Sequence, residues 1–385
     1  MNVDLVPRQI LRPEAYISAD WYERERRELL GRVWTFVGFT GDFARPGDYR
    51  TVAAGCYPLA VLRDRDGGLN AFHNLCRHRG SRLLEGSGNA GTSIRCFYHN
   101  WTYDLSGRLV LVPQEAEQFR GLDKSCLGLK PAKVATWRNL VFAHPDPRAE
   151  ALESWLAGFG ERVGPHEIER LVEVADVTYR CKANWKLVIE NFIDGYHFFY
   201  LHPVSFGDAD YHGQRWWPAG RHWMFHRPLK PGVTHENEDL PVIRGVDSAY
   251  GAGAYVLFPN LALFETATSW STFHARAIGP DETLIDIRLL AEPTALERLG
   301  TKDVPLDALP DCVVASKGPY SFHRAEDREL HPLKSDNAML EDIYACEAMQ
   351  AGMASPAYEV GPLSGWETSL GFFQSQVLDY VPTNL

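Results

Sequence analysis

The spacing of apolar and polar residues changes character several times along the chain. Over residues 19–34 the apolar positions Trp21, Leu29, Leu30, Val33 and Trp34 recur at helical spacing, and Asp20 is placed to cap the start. From residue 36 to about 145 the texture shifts to short strands and turns. Residues 57–63 and 139–144 read as strands and Asp66-Gly67-Gly68 as a turn, which predicts a small all-β domain. Pro145-Asp146-Pro147-Arg148-Ala149 punctuates the chain as a boundary. Helical runs follow at 151–163 and 166–171, then a strand at 171–179 and a helical pattern from Asn184 to His202. Strands are expected at 254–258, 261–264, 271–276 and 283–290, several with the alternation of a sheet covered on one face. A long helix at 335–354 would cover it. The fold class predicted is α+β: a small all-β domain beside a larger domain of antiparallel sheet covered by helices. The division expected is 1–37 as a helical segment packing with the larger domain, 38–147 as the β-domain and 148–385 as the larger domain.

Composition narrows this little. A chain of 385 residues suggests two or three domains at about 100–200 residues each. With 45% hydrophobic and 23% charged residues it is ordinary globular material. The net charge of −11 excludes a nucleic-acid partner, which needs a basic surface. Residues 1–7 have neither the basic start nor the apolar run of a secretory signal. No stretch reaches the roughly 18–20 apolar residues of a membrane helix, so a soluble, cytoplasmic protein without a membrane partner is expected. Of seven cysteines, Cys56, Cys126, Cys181, Cys312 and Cys346 lack pairing spacing and read as reduced core thiols.

The chemistry concentrates in two places. Cys76-Arg77-His78 is followed, seventeen residues on, by Cys96-Phe97-Tyr98-His99. Zinc sites usually pair like ligands, as C-x(2–4)-C with H-x(3–5)-H. Here each loop carries one thiol and one imidazole. That is the ligand set of a Rieske [2Fe–2S] centre, with one cysteine per loop for the first iron and one histidine per loop for the second. The second place starts at Asn184-Trp185-Lys186 and contains Asp194, His197 and His202. His197 and His202 lie about 140° apart around an ideal helix at 3.6 residues per turn, so a regular helix cannot bring them to one metal. Pro203 disfavours helical geometry at His202, and a helix that ends or distorts there lets the imidazoles converge. Two ordinary histidines in an aromatic-rich segment is the competing interpretation.

Together these stretches resemble the catalytic α subunit of Rieske non-heme iron oxygenases, the ring-hydroxylating family and its monooxygenase relatives. The resemblance runs from the N-terminal helix to Leu363-Ser364 and Glu367. It implies that His197 and His202 join one carboxylate in a facial triad for Fe(II), with positions open for O2. It places that carboxylate shortly before Glu347-Ala348-Met349-Gln350, leaving Glu341 and Asp342 as candidates. On a helix Asp342 shares the face of Met339, Cys346, Met349 and Met353, whereas Glu341 points about 100° away. An acid on an apolar stripe is costly unless paired or bound to metal, which selects Asp342; Glu341 is expected on a solvated face. The resemblance also makes Asp194 the bridge from His197 to a cluster histidine equivalent to His99 in a neighbouring subunit. Asn191, one turn before it, is a polar contact near the iron or a structural amide.

The same resemblance implies a helix-grip, START-like larger domain and a terminal oxygenase. Electrons come from NAD(P)H through a partner reductase, with or without a ferredoxin, since no G-x-G-x-x-G fingerprint is present. A homotrimer (α3) is implied, with a β subunit possible. The substrate expected is an aromatic or apolar small molecule, with Phe192, Phe206, Phe258, Phe264 and Trp270 as candidate lining; a quaternary amine undergoing N-demethylation is the alternative. A non-catalytic Rieske electron carrier and a zinc-dependent interaction module remain as other classes. Two departures stand out: Phe97 where Pro is common, and Asn100 where Gly is common. Asn tolerates positive φ, so the second loop should survive. Gly361-Pro362-Leu363-Ser364 lacks a frequent arginine.

Overall fold

The computed structural model describes residues 8–161, 163–235, 239–300 and 302–383; the stretch 1–7 and residue 162 of the helical run 151–163 lie outside them. The chain divides into two compact units, Arg24–Trp155 and the combination of Met1–Glu23 with Leu156–Leu385. The divisions thus fall at 23/24 and 155/156 rather than at 37/38 and 147/148. The first shift has a clear cause. Thr35–Phe39 is a strand that pairs antiparallel with Leu140–His144, so residues ahead of 38 already belong to the small β-unit. The N-terminal helix also stops at Glu28 instead of running to residue 34.

In the β-unit, seven antiparallel strands are ordered Thr35–Phe39, Leu140–His144, Pro131–Trp137, Leu69–His73, Tyr57–Arg63, Asp48–Ala54 and Ser87–Asn89. Val37, Phe43, Leu59, Val61 and Val141 fill one core on this sheet. A second sheet of three short strands, Ser93–Arg95, Thr102–Asp104 and Leu109–Leu111, carries its own core of Ile94, Trp101, Tyr103, Leu105 and Leu109. Both Cys76 and Cys96 are buried in that second core.

The other unit is built on an eight-stranded antiparallel sheet. Its order is Arg215–Ala219, His222–Arg227, Ala252–Leu257, Leu261–Glu265, Trp270–Ala277, Thr283–Ala291, Val172–Cys181 and Val313–Lys317. The hairpin Arg215–Arg227, the last strand and a C-terminal helix, Thr368–Tyr380, were not foreseen; the runs at 159–161 and 168–170 are single 3-10 turns. The helix Trp185–Ile193 packs on the strand Trp270–Ala277 and against the helices Ala338–Met353 and Thr368–Tyr380. Asn184 caps the first of these, its side chain accepting from the Lys186 N–H.

Side chains of the helix Ala338–Met353 fix its register. Gln350 accepts from the Asn184 N–H (2.9 Å), and Glu347 accepts from the Lys182 N–H (2.9 Å). A second knot ties in the N-terminal stretch: Tyr16 O–H donates to Glu190 (2.7 Å), the Gln374 amide donates to Glu190 (2.9 Å), and Gln374 Oε1 accepts from the N–H of Ile10. Burial pushes Glu190 up to about 7, against the pull of those donors and of Lys186. No described helix is long and apolar enough to cross a membrane. All seven cysteines are free; Cys126, expected in a core, is exposed.

Candidate metal centres

The two cysteine loops of the β-unit close in the same way. The Gly80 N–H donates to the carbonyl of Cys76 and the Asn100 N–H to the carbonyl of Cys96, each at 2.9 Å. Both closing residues are left-handed, at φ 75° and 62°. Glycine enters that region without penalty and Asn is among the few residues that tolerate it, which is why the second turn keeps its shape. The loops bring the rings of His78 and His99 to 4.6 Å and stack His78 on Trp101. The thiols lie inward and the imidazoles outward: Cys76 and Cys96 are buried, His78 and His99 half-buried. Phe97, in the place of the common Pro, projects into solvent at 84% exposure.

Several features fit an iron–sulfur group held by this quartet. His78 Nδ1 is buried with no partner. Burial raises the Cys76 thiol, and Cys96 beside it raises it further, while the Tyr103 hydroxyl pulls the other way. Such a pair of facing thiols is relieved when metal replaces their protons. The Tyr103 oxygen accepts from the Arg77 N–H (2.9 Å) and shares a hydrogen bond with Cys76 Sγ at 3.3 Å. Burial holds that phenol protonated. Among the described residues, the one group of three or more ligand-type residues with donor atoms within 4.8 Å of one another is elsewhere in the chain.

That group is His197, His202 and Asp342. The helix from Asn184 breaks earlier than expected, at Ile193, and does not continue to His202. Asp194 ends it, and its Oδ1 accepts from the Tyr196 N–H (2.6 Å) and, more weakly, from that of His197 (3.4 Å). One helical turn, Phe198–Leu201, follows with His197 at its start and His202 at its end. The break re-aims His197, so the ring centroids of the two histidines come within 5.1 Å. Asp342 Oδ1 lies 2.9 Å from His202 Nε2 and 3.6 Å from His197 Nε2. Both nitrogens of His197 are buried without a hydrogen bond; Asp194 Oδ2 is 3.2 Å from Nδ1 but poorly aimed. Two imidazoles and one carboxylate facing a common point, with orphaned nitrogen, suit a divalent cation.

Glu341 corrects the expectation of a solvated face. It is 3% exposed, and its Oε2 accepts from His202 Nδ1 (2.6 Å) and Ser205 Oγ (3.2 Å). The acid adjacent to the selected one therefore fixes the His202 tautomer, leaving Nε2 for a metal. With a carboxylate at each nitrogen, His202 is raised on balance, although burial alone would lower it. Asp342 shows the reverse balance: burial raises it, but His202, the charge of His197 and the Asn191 amide bring it below the usual carboxylate range. Asn191 lines the same cavity as Asp342.

Beside the triad lies a cavity of about 230 Å³. Asn191 and Asp342 form part of its wall, and most of the rest is apolar, including Phe192, Phe206, Phe264 and Met339. Phe258 and Trp270, expected in the lining, are fully buried in the core instead. Arg227 also lines it, a residue that nothing in the sequence had singled out.

Comparison with known proteins gives two family matches: a Rieske [2Fe-2S] domain over residues 33–137, and a ring hydroxylating alpha subunit (catalytic domain) over 168–383. The glycine betaine monooxygenase oxygenase subunit of Chromohalobacter salexigens is 30% identical over 378 residues, covering 88% of this chain and 78% of that one. The chlorobenzene dioxygenase subunit alpha of a Cupriavidus species is 36% identical over 191 residues, 48% of this chain and 42% of its own. A solved structure of a quaternary ammonium Rieske monooxygenase, concerned with carnitine oxidation by gut microbiota and inter-subunit electron transfer, matches with a TM-score of 0.74 at 21% identity. It covers 97% of this chain and 96% of that one.

Proposed function

The chain belongs to the Rieske non-heme iron oxygenases, as a catalytic alpha subunit of the ring-hydroxylating family, and we propose that it oxidises a small, largely apolar molecule at His197, His202 and Asp342. The observation that carries this reading is the convergence of those three donors beside a largely apolar cavity with several phenylalanines in its wall. In this family a [2Fe–2S] cluster supplies electrons one at a time and a mononuclear Fe(II) activates O2. Cys76, Cys96, His78 and His99 would hold the cluster, and His197, His202 and Asp342 the Fe(II).

What the chain's own side chains contribute follows from the geometry. Glu341 keeps the proton on Nδ1 of His202, so Nε2 presents its lone pair. Asn191, beside Asp342 in the cavity wall, would help to keep that carboxyl ionised. Asp194 lies against His197 Nδ1 and would do the same for that ring, its other side available to a neighbouring subunit. The phenylalanines exclude water from the space where substrate sits.

Electrons reach the cluster from NAD(P)H through a reductase, with or without a ferredoxin, and a trimer in the cytoplasm is the assembly proposed. Inter-subunit electron transfer in the quaternary ammonium relative supports a multimer. Insertion of one oxygen atom or two, into an aromatic ring or a C–H bond, is open to such a site. Oxidation of a quaternary amine is a second reading, favoured by the glycine betaine relative that aligns along most of both chains. The purified protein should carry about three irons and two sulfides per chain, with a Rieske-type EPR signal on reduction. Substrate-dependent O2 uptake with a surrogate reductase completes the test. A colourless, zinc-loaded protein refutes the reading.

A further inference from the structure

Arg227 ends the strand His222–Arg227 and contributes to the cavity beside the triad. It is 5% exposed and Nη1 is buried without a hydrogen-bond partner. Among the described residues it makes no ion pair. Its guanidinium carbon sits 4.2 Å from the ring centre of Phe206 and 4.7 Å from that of Phe198. These cation–π contacts hold the group in place and offset part of its burial. They do not replace hydrogen bonds in the plane of the fork. Burial lowers Arg227 to about 10, which leaves it charged at neutral pH.

An isolated buried charge is expensive, costing several kcal/mol unless something pairs with it. The cavity offers one acid, Asp342, and that acid is engaged by His202 and Asn191. Arg227 thus stands as a preplaced donor with no acid among the described residues to receive it. The complement of a guanidinium fork is a carboxylate, which meets it with two parallel hydrogen bonds. Phe206 touches Arg227 on one side and lies 5.0 Å from the His202 ring on the other. A group bound at Arg227 would therefore leave the body of a one-ring molecule within reach of the triad. The cavity, about 230 Å³, has room for such a molecule.

We infer that Arg227 anchors the carboxylate of the substrate, making this an oxygenase of small carboxylates whose apolar remainder packs against the phenylalanines. The inference rests on the oxygenase reading above and narrows its substrate class. Aryl carboxylates and betaines share that anionic end. A quaternary amine without a carboxylate does not, and it would meet the Arg227 charge unscreened.

Calorimetric titration of the holoenzyme with benzoate, methyl benzoate, glycine betaine and choline tests this without any variant. At least one carboxylate should bind about thirtyfold or more tightly than its uncharged or carboxylate-free counterpart. Benzoate binding marks an aryl acid and glycine betaine binding a betaine. Arg227→Gln should erase the preference; Arg227→Lys, which keeps the charge but not the fork, should fall between. Equal affinity for acid and ester, binding of choline over glycine betaine, or no binding of either carboxylate overturns the proposal. So does a folded Arg227→Gln protein with its preference intact. Those outcomes, in protein with full iron content and the Rieske signal, leave the oxygenase reading standing; loss of iron and signal from the wild type strikes that reading alone.

Discussion

The quartet in the β-unit and the triad on the large sheet are both part-histidine sites, built by different means. Cys76, His78, Cys96 and His99 come from two turns within 24 residues, each closed by one backbone hydrogen bond to a left-handed residue. The triad joins His202 to Asp342, 140 residues further along. Its geometry depends on a helix break, a helix register and the sheet beneath them. The first site is a property of local turns and the second of tertiary packing. A local site keeps its shape through its own backbone, whereas the other requires side chains such as Gln350 and Glu347 to hold the helix Ala338–Met353 in register.

Removing one ligand from each site is the strongest way to break this contrast. Cys96→Ser should abolish the visible and EPR signature and with it all reductase-driven turnover. Asp342→Ala should lower turnover at least about a thousandfold while leaving the cluster spectrum untouched. A cluster signal lost in Asp342→Ala, or kept in Cys96→Ser, would merge the two sites. Next in size is Glu341→Gln, which weakens the acceptor at His202 Nδ1. Activity or mononuclear iron affinity should fall roughly 10- to 100-fold, with cluster iron retained. An unchanged iron affinity and rate would return Glu341 to a packing role. The smallest effect concerns the turn itself. Asn100→Ala forces a Cβ without a compensating polar group into the left-handed region, at about 1 kcal/mol, whereas Asn100→Gly should be near neutral. Cluster absorbance followed on heating resolves the two.

The same contrast explains what was readable beforehand. Ligands confined to two short loops appear as C-x-H and C-x-x-H, so the quartet was legible as spacing alone. His197 and His202 stand out as candidates in the sequence, but Pro203 points to a break at His202, whereas the helix ends at Ile193. Helical spacing sets Asp342 on the apolar face and Glu341 on a solvated one, yet Glu341 is buried. Treating a helix as having one buried side overlooks a second partner, here His202 and Ser205, packing from another direction. Arg227 carries no local signal, since an arginine acquires meaning only from the partners around it. The order of strands is likewise set by pairings between distant residues, such as Val172 with Ala291, that no local pattern announces.

The knot around Tyr16 has a practical consequence. Residues 10–16 supply partners to Gln374, Glu190 and Gln350, all buried on later helices. A protease that nicked the chain just after residue 17 would expose no cluster ligand, and the red-brown colour would persist. Release of that segment would nevertheless take from a buried carboxyl and two buried amides part of their hydrogen bonds. Amide protons of the helix Trp185–Ile193, slow to exchange in the intact chain, should then exchange quickly. Colour is therefore a poor certificate of an intact catalytic unit, and deuterium uptake at that helix a good one.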